Sequence, residues 1–103
     1  MTTIYGLYDP HSGQLRYVGR TTRALEQRLA AHLAHATTYR STTPLQRWLR
    51  GLLATGIGPS IRPIVVVSDA LADLAERRTI AAHPDLLNTI YNLRAARELA
   101  VRP

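Results

Sequence analysis

The chain has 103 residues, enough for one domain and one core, and its 46% hydrophobic content comes mainly from Leu, Ile, Val and Ala, with five Tyr, one Trp and no Phe. Thirteen basic residues, every one an Arg, oppose seven acids for a net charge of +6, which points to a polyanionic partner, although a GC-rich genome would also enrich Arg and Ala. With no Cys there are no disulfides or zinc–thiolate sites; with no basic-then-apolar leader and no apolar run near the ~20 residues of a membrane span, a soluble, cytoplasmic protein is expected.

Thr2 to Tyr8 reads as a strand, with Ile4, Tyr5, Leu7 and Tyr8 in a short β-rich run. Asp9-Pro10-His11-Ser12-Gly13 is turn chemistry, and residues 14–19 read as the returning strand of a hairpin. If Tyr8 pairs with Gln14, Tyr5 lies directly opposite Tyr17 and Leu7 opposite Leu15. Thr21 or Thr22 can cap a helix to about His35, with Leu25, Leu29 and Leu33 as its apolar stripe. The polar, Thr-rich residues 36–42 read as a loop. Thr43-Pro44 is a cap followed by proline at the first helical position, and Leu45, Trp48, Leu49, Leu52 and Leu53 then recur at amphipathic spacing. Gly56 stops this helix and Gly58-Pro59 is a turn.

Ile61 to Val67 reads as a third strand, apolar on both faces over Ile64-Val65-Val66-Val67, with Pro63 weakening its start or placing it at an edge. Ser68 and Asp69 are caps for a helix to about Ala82, which His83-Pro84 ends. Residues 85–102 start irregular and are expected to finish helical, with Leu93, Ala96, Leu99 and Ala100 on one side. The order β-β-α-α-β-α, plus a C-terminal helical segment, predicts a small α+β domain spanning residues 1–103. Its three-stranded antiparallel sheet is flanked by helices.

Thr3-Ile4-Tyr5 and Tyr17-Val18-Gly19 on the two hairpin strands, Arg28 and His32 on the first helix, Glu76 on a later helix and Leu86-Leu87-Asn88 follow one another in the chain. In this order they resemble the GIY-YIG nuclease family along nearly the whole chain. Thr3-Ile4-Tyr5 matches the first strand motif with Thr for Gly, and Tyr17-Val18-Gly19 the second with Val for Ile. Arg28 and His32 match an Arg and a His one helical turn apart. Glu76 matches a helical Glu beyond a buried strand, and Leu86-Leu87-Asn88 an Asn after a Leu pair. The resemblance implies a metal-dependent endonuclease acting on DNA phosphodiesters. Glu76 would hold one divalent ion, Mg²⁺ or Mn²⁺. Arg28 would clamp a non-bridging phosphate oxygen, and Tyr5 would be the general base. Tyr17 and His32 would relay protons or orient groups, and Asn88 would orient a side chain or water. A Tyr with an ordinary pKa near 10 needs a neighbouring cation or hydrogen bond to act as a base. Arg20, Arg23 and His35 are candidate nucleic-acid contacts.

Taken singly, each element is ordinary. A Tyr pair across a hairpin is usually packing, Arg28 and His32 could line a solvated helix face, Glu76 could pair with Arg77 or Arg78, and Asn88 could end a helix. Tyr8, Tyr39 and Tyr91 read as packing or surface residues. The sequence departs from the family in Thr3 and in the residues after Asn88, where a glycine-rich stretch is missing. No second DNA-binding module fits in this chain, so a protein partner or homodimer could supply extra grip on DNA. Two alternatives to an autonomous endonuclease are a catalytically silent nucleic-acid-binding module and a toxin or partner-recruited nuclease subunit.

Overall fold

A computed structural model describes residues 1–38 and 43–88. The elements are β1 (Thr2–Tyr8), β2 (Leu15–Thr21), α1 (Leu25–Thr38), α2 (Pro44–Ala54), β3 (Ser60–Val67), a 3-10 turn (Asp69–Leu71) and α3 (Ala72–Ala81). The predicted order and the α+β class hold. The expected C-terminal helix lies mostly outside the described residues. None of the described helices is long and apolar enough to cross a membrane.

The strands form one antiparallel sheet in the order β2-β1-β3, so the N-terminal strand is central and carries the deepest core. Ile4, Tyr5 and Leu7 are all fully inaccessible. Strand alternation sends them to opposite faces. Ile4 joins Val18 and Leu86, with Leu15, Ala75 and Ile80 packed against them, on the α3 side. Tyr5 faces α1, whose His32 it touches. Helices therefore cover both faces, and each buried aliphatic side chain contributes roughly 1.5–3 kcal/mol.

The hairpin register differs from the expected one. Tyr5 stands opposite Gly19, and Tyr17 opposite Leu7. The turn is the cause. Asp9 accepts the amides of His11 and Ser12 on its carboxylate and that of Gly13 on its carbonyl, while its own N–H donates to Gln14. Gly13 has φ 73°, a left-handed conformation that glycine adopts without a Cβ clash. Residues 9–14 are all taken up by this loop, and Tyr8 then pairs with Leu15 across a bulge. From Tyr17 to Thr21 the slip is two residues, which keeps side chains on their faces, so Tyr5 and Tyr17 remain on one side as diagonal neighbours; at the bulge it is one, and Leu15, expected opposite Leu7, packs on the Ile4 face instead.

Other boundaries moved for local reasons. β2 continues to Thr21, whose hydroxyl accepts from the Arg23 amide in a turn instead of capping the helix. α1 runs on to Thr38, because Ala36, placed in a loop by sequence, is buried at its inner face. Along α1 the buried positions are His32 and Ala36, with the Leu25/Leu29/Leu33 stripe only half-buried beside them. The Thr43 cap forms as expected, its side chain accepting from the Gln46 amide, and Gly56 (φ 81°) ends α2. Ser68 makes no side-chain cap; Asp69 instead accepts from the Thr2 hydroxyl and pairs with the Met1 amino group. β3 is an edge strand, and Val65 and Val66 are 41% and 52% exposed among the described residues, not buried on both faces.

Candidate active site

The predicted residues gather at the β2 edge of the sheet, where α1 approaches from one face and α3 from the other. Tyr5 is the hub. Its hydroxyl lies 2.7 Å from His32 Nε2, and Arg28 Nε donates to it at 3.1 Å. Arg28 and His32 are one turn apart on α1, which is why both reach the same oxygen. Tyr17 also meets the imidazole edge-on, with ring centroids 5.6 Å apart and planes at 78°. His32 thus touches both tyrosine rings, the Tyr5 ring being edge-on at 5.9 Å.

Gly19 explains the tightness of this cluster. A Cβ on Gly19 would come within 2.4 Å of the Tyr5 hydroxyl and 2.5 Å of its ring. The glycine of the second strand motif is therefore the space into which the Tyr5 ring fits. Sequence spacing alone gave no sign of this contact, because it depends on the observed register.

Burial dominates the electrostatics. It pushes the Tyr5 hydroxyl up to about 12, against the opposing charge and hydrogen bond of Arg28; Tyr17 and the Glu76 carboxylate push in the same direction as burial. Tyr17 is raised for the same main reason. Burial draws His32 down to about 4, with the charges of Arg28 and His35 adding to the effect. At neutral pH His32 is therefore an uncharged imidazole. Arg28 donates to the Tyr5 oxygen, and in the imidazole tautomer that carries its proton on Nδ1 the Tyr5 hydroxyl donates to Nε2.

Glu76 projects from α3 and lines a cavity of about 380 Å³ with Tyr17, Pro44, Leu45, Ile80 and Asn88. Its carboxyl is raised, first by burial and then by Asp73, against the attraction of Arg20. Glu76 takes part in none of the ion pairs among the described residues, unlike Asp73, which holds Arg20 at 3.6 Å and Arg77 at 3.3 Å. Among the described residues no group of three or more His, Asp or Glu side chains converges. A half-buried single carboxylate outside any ion pair suits Mg²⁺, which binds through one or two carboxylates and keeps waters and substrate oxygens as its other ligands.

Asn88 is brought close, but its amide is engaged with the β2 backbone. Val18 N–H donates to Oδ1 at 3.0 Å, and Nδ2 donates to the Val18 carbonyl at 2.8 Å. It acts on the site by fixing the free edge of β2 next to Tyr17. Arg20, Arg23 and His35 are exposed. Arg20 and Arg23 line a second cavity, of about 590 Å³, whose wall also includes Arg28. No protein-family model, no curated protein and no solved structure matches this chain.

Proposed function

We propose that the protein is a metal-dependent endonuclease that hydrolyses DNA phosphodiester bonds. The observation that carries this reading is the convergence of a neutral His32 and the Arg28 guanidinium on the buried Tyr5 hydroxyl, with the half-buried Glu76 carboxylate facing Tyr17 across a shared cavity. Hydrolysis of a phosphodiester needs an activated water, cationic compensation at the phosphoryl oxygens and a route for the proton. The site contains groups suited to each.

With its pKa near 12, Tyr5 is almost never a free phenolate at neutral pH. The route that fits the geometry is a relay. The Tyr5 oxygen is closed to solvent in this structure, so the route requires substrate binding to admit the attacking water to it; that water gives a proton to the Tyr5 oxygen while the Tyr5 hydroxyl proton passes to His32 Nε2. The P–O bond to the water oxygen forms, and the bond to the leaving ester oxygen breaks. That oxygen is protonated from solvent. Arg28 keeps its Nε bond to Tyr5 and turns one terminal nitrogen toward a phosphoryl oxygen of the scissile group, a charge-assisted contact that leaves the other terminal nitrogen for a second acceptor. Tyr17 orients His32 through its ring and presents its hydroxyl toward the Glu76 cavity. A Glu76-held divalent ion, when bound, supplies Lewis-acid compensation of the phosphoryl charge and of the Glu76 carboxylate itself.

The test is cleavage of supercoiled plasmid in Mg²⁺ and in Mn²⁺ by the wild type and by Glu76→Gln. The variant keeps the shape of the side chain and loses its charge. Cleavage by the wild type, with loss of activity and retention of DNA binding in the variant, is expected. Full cleavage by Glu76→Gln in saturating Mg²⁺ would sink the assignment. The relay adds a pH signature: the rate should be nearly independent of Tyr5 ionisation between about pH 6 and 9, whereas a free phenolate base would raise it roughly tenfold per pH unit.

A further inference from the structure

The cavity of about 590 Å³ lies at the C-terminal end of β2, next to the Tyr5–His32 cluster and distinct from the Glu76 cavity. Its wall brings together Arg20, Arg23 and Arg28, with the polar side chains of Thr21, Thr22 and Gln27. One carboxylate, Asp69, is at its rim, and that charge is already engaged by the Met1 amino group at 3.2 Å and the Thr2 hydroxyl at 2.7 Å. The cavity is therefore net positive. Its volume falls in the range of roughly 300–1,000 Å³ typical of small-ligand sites, larger than a bare phosphate needs.

Arg28 belongs to both places. Its Nε–H is spent on Tyr5, and the residue also forms part of the cavity wall. Four N–H groups remain on its terminal nitrogens, since a guanidinium has five. Arg20 shares its charge with Asp73 at 3.6 Å, whereas the Arg23 side chain forms no ion pair or hydrogen bond among the described residues. Gln27 offers both a donor and an acceptor one residue before Arg28.

We infer that this cavity is a subsite for the nucleotide flanking the scissile bond, holding that nucleotide's internal phosphodiester between Arg23 and Arg28. The inference rests on the nuclease reading for which bond is cut, but the subsite itself is a binding property. It implies that the shortest well-bound substrate is a strand with two consecutive phosphodiesters, and that Arg23 acts on affinity for the strand.

The test uses the full chain in EDTA, so that binding is read without cleavage, and follows backbone amide shifts by NMR. The probes are TpT, with one phosphodiester, TpTpT, with two, and pTpT, whose second phosphate is terminal. TpTpT should bind at least about tenfold more tightly than TpT, the scale of one charge-assisted contact, and its shifts should extend to Thr21, Thr22 and Gln27. Arg23→Ala should cut that gain to about twofold or less, while Arg78→Ala, which removes the same charge from an exposed position on α3, should leave it. Asp69→Asn should enlarge it, a change of opposite sign that general loss of structure would not produce.

Equal affinities for TpT and TpTpT, or an equal loss in Arg23→Ala and Arg78→Ala, would overturn the subsite. A gain confined to pTpT would also overturn it, because the cavity would then be reading a strand end. Plasmid cleavage in Mg²⁺ separates the two readings. A protein that shows the TpTpT gain yet cuts nothing supports the subsite and defeats hydrolysis, and one that cuts plasmid without the gain does the reverse.

Discussion

The Tyr5 hydroxyl is inaccessible to solvent and bonded on two sides, so its removal has two effects of different size. Tyr5→Phe leaves Arg28 Nε and His32 Nε2 without their partner, at about 1–3 kcal/mol for a buried group left unpaired. The fold should persist with a lowered melting temperature. Cleavage should fall by the ~10²–10⁴-fold of a lost proton-transfer group. Tyr8→Phe is the control. Tyr8 lies on the opposite face, with Arg62 Cζ 3.9 Å above its ring, and the ring is retained. Normal cutting by Tyr5→Phe at matched thermal stability would exclude the hub role. His32 makes a separate prediction. Its folded pKa of about 4 lies below the ordinary 6.5, so the unfolded chain takes up a proton first as pH falls. The stability it contributes is intact above about pH 6.5, is lost progressively down to about pH 4, and changes little below that. Denaturant midpoints should follow this slope in the wild type and flatten in His32→Gln. An unchanged slope in the variant would assign the titration to other groups.

At the scale of elements, the site depends on an edge strand whose backbone is held by a side chain. β2 pairs with β1 on one side only, and on the other the Asn88 amide takes both polar groups of Val18, as a neighbouring strand would. Leu86 and Leu87, both buried, anchor the segment that brings Asn88 there. Asn88→Ala should destabilise the protein by about 1–3 kcal/mol, read as a drop in unfolding midpoint. Asn88→Asp should do worse at neutral pH, because a carboxylate still accepts from Val18 N–H but repels the Val18 carbonyl. If Asn88→Asp were as stable as the wild type, the amide would not be what holds β2. The hairpin shows the same dependence on local chemistry. The bonds around Asp9 and the bulge beside Tyr8 set the register, and that register puts Gly19, not Tyr17, across from Tyr5.

For the whole molecule, the net charge of +6 and the Arg-lined cavity describe a surface suited to a phosphate backbone. Binding to duplex DNA should be mostly phosphate neutralisation. It should weaken steeply and linearly in log–log form with salt, and vary little with sequence. Fluorescence anisotropy across a salt series on unrelated duplexes measures both. A strong preference for one sequence that survives high salt would require base-edge readout instead. The sheet order gives the molecule a second distinctive face at β3, where Arg62 and Pro63 interrupt an otherwise apolar edge strand.

Composition, periodicity and turn residues were sufficient to read the element order and the α+β class, because hydrophobic spacing and caps act locally: the Thr43-Pro44 start and Gly56 stop of α2 are written in adjacent residues. What marked Tyr5, Tyr17, Arg28, His32 and Glu76 as candidates was the resemblance of ordered short motifs to the GIY-YIG family, each residue being ordinary when taken singly. Long-range contact decided the rest. Ala36 became helical because its inner face is buried against the core, and Thr21 remained in a strand because β1 pairs with it. The apolar stretch Ile64–Val67 reads as a buried strand while Pro63 allows an edge, and the order β2-β1-β3 decides for the edge. The Tyr5–His32 bond joins residues 27 apart in the chain, and the Asn88–Val18 pair residues 70 apart. No local pattern encodes such distances, and it is the packing of α1 and α3 around one edge strand that turns scattered polar residues into a single site.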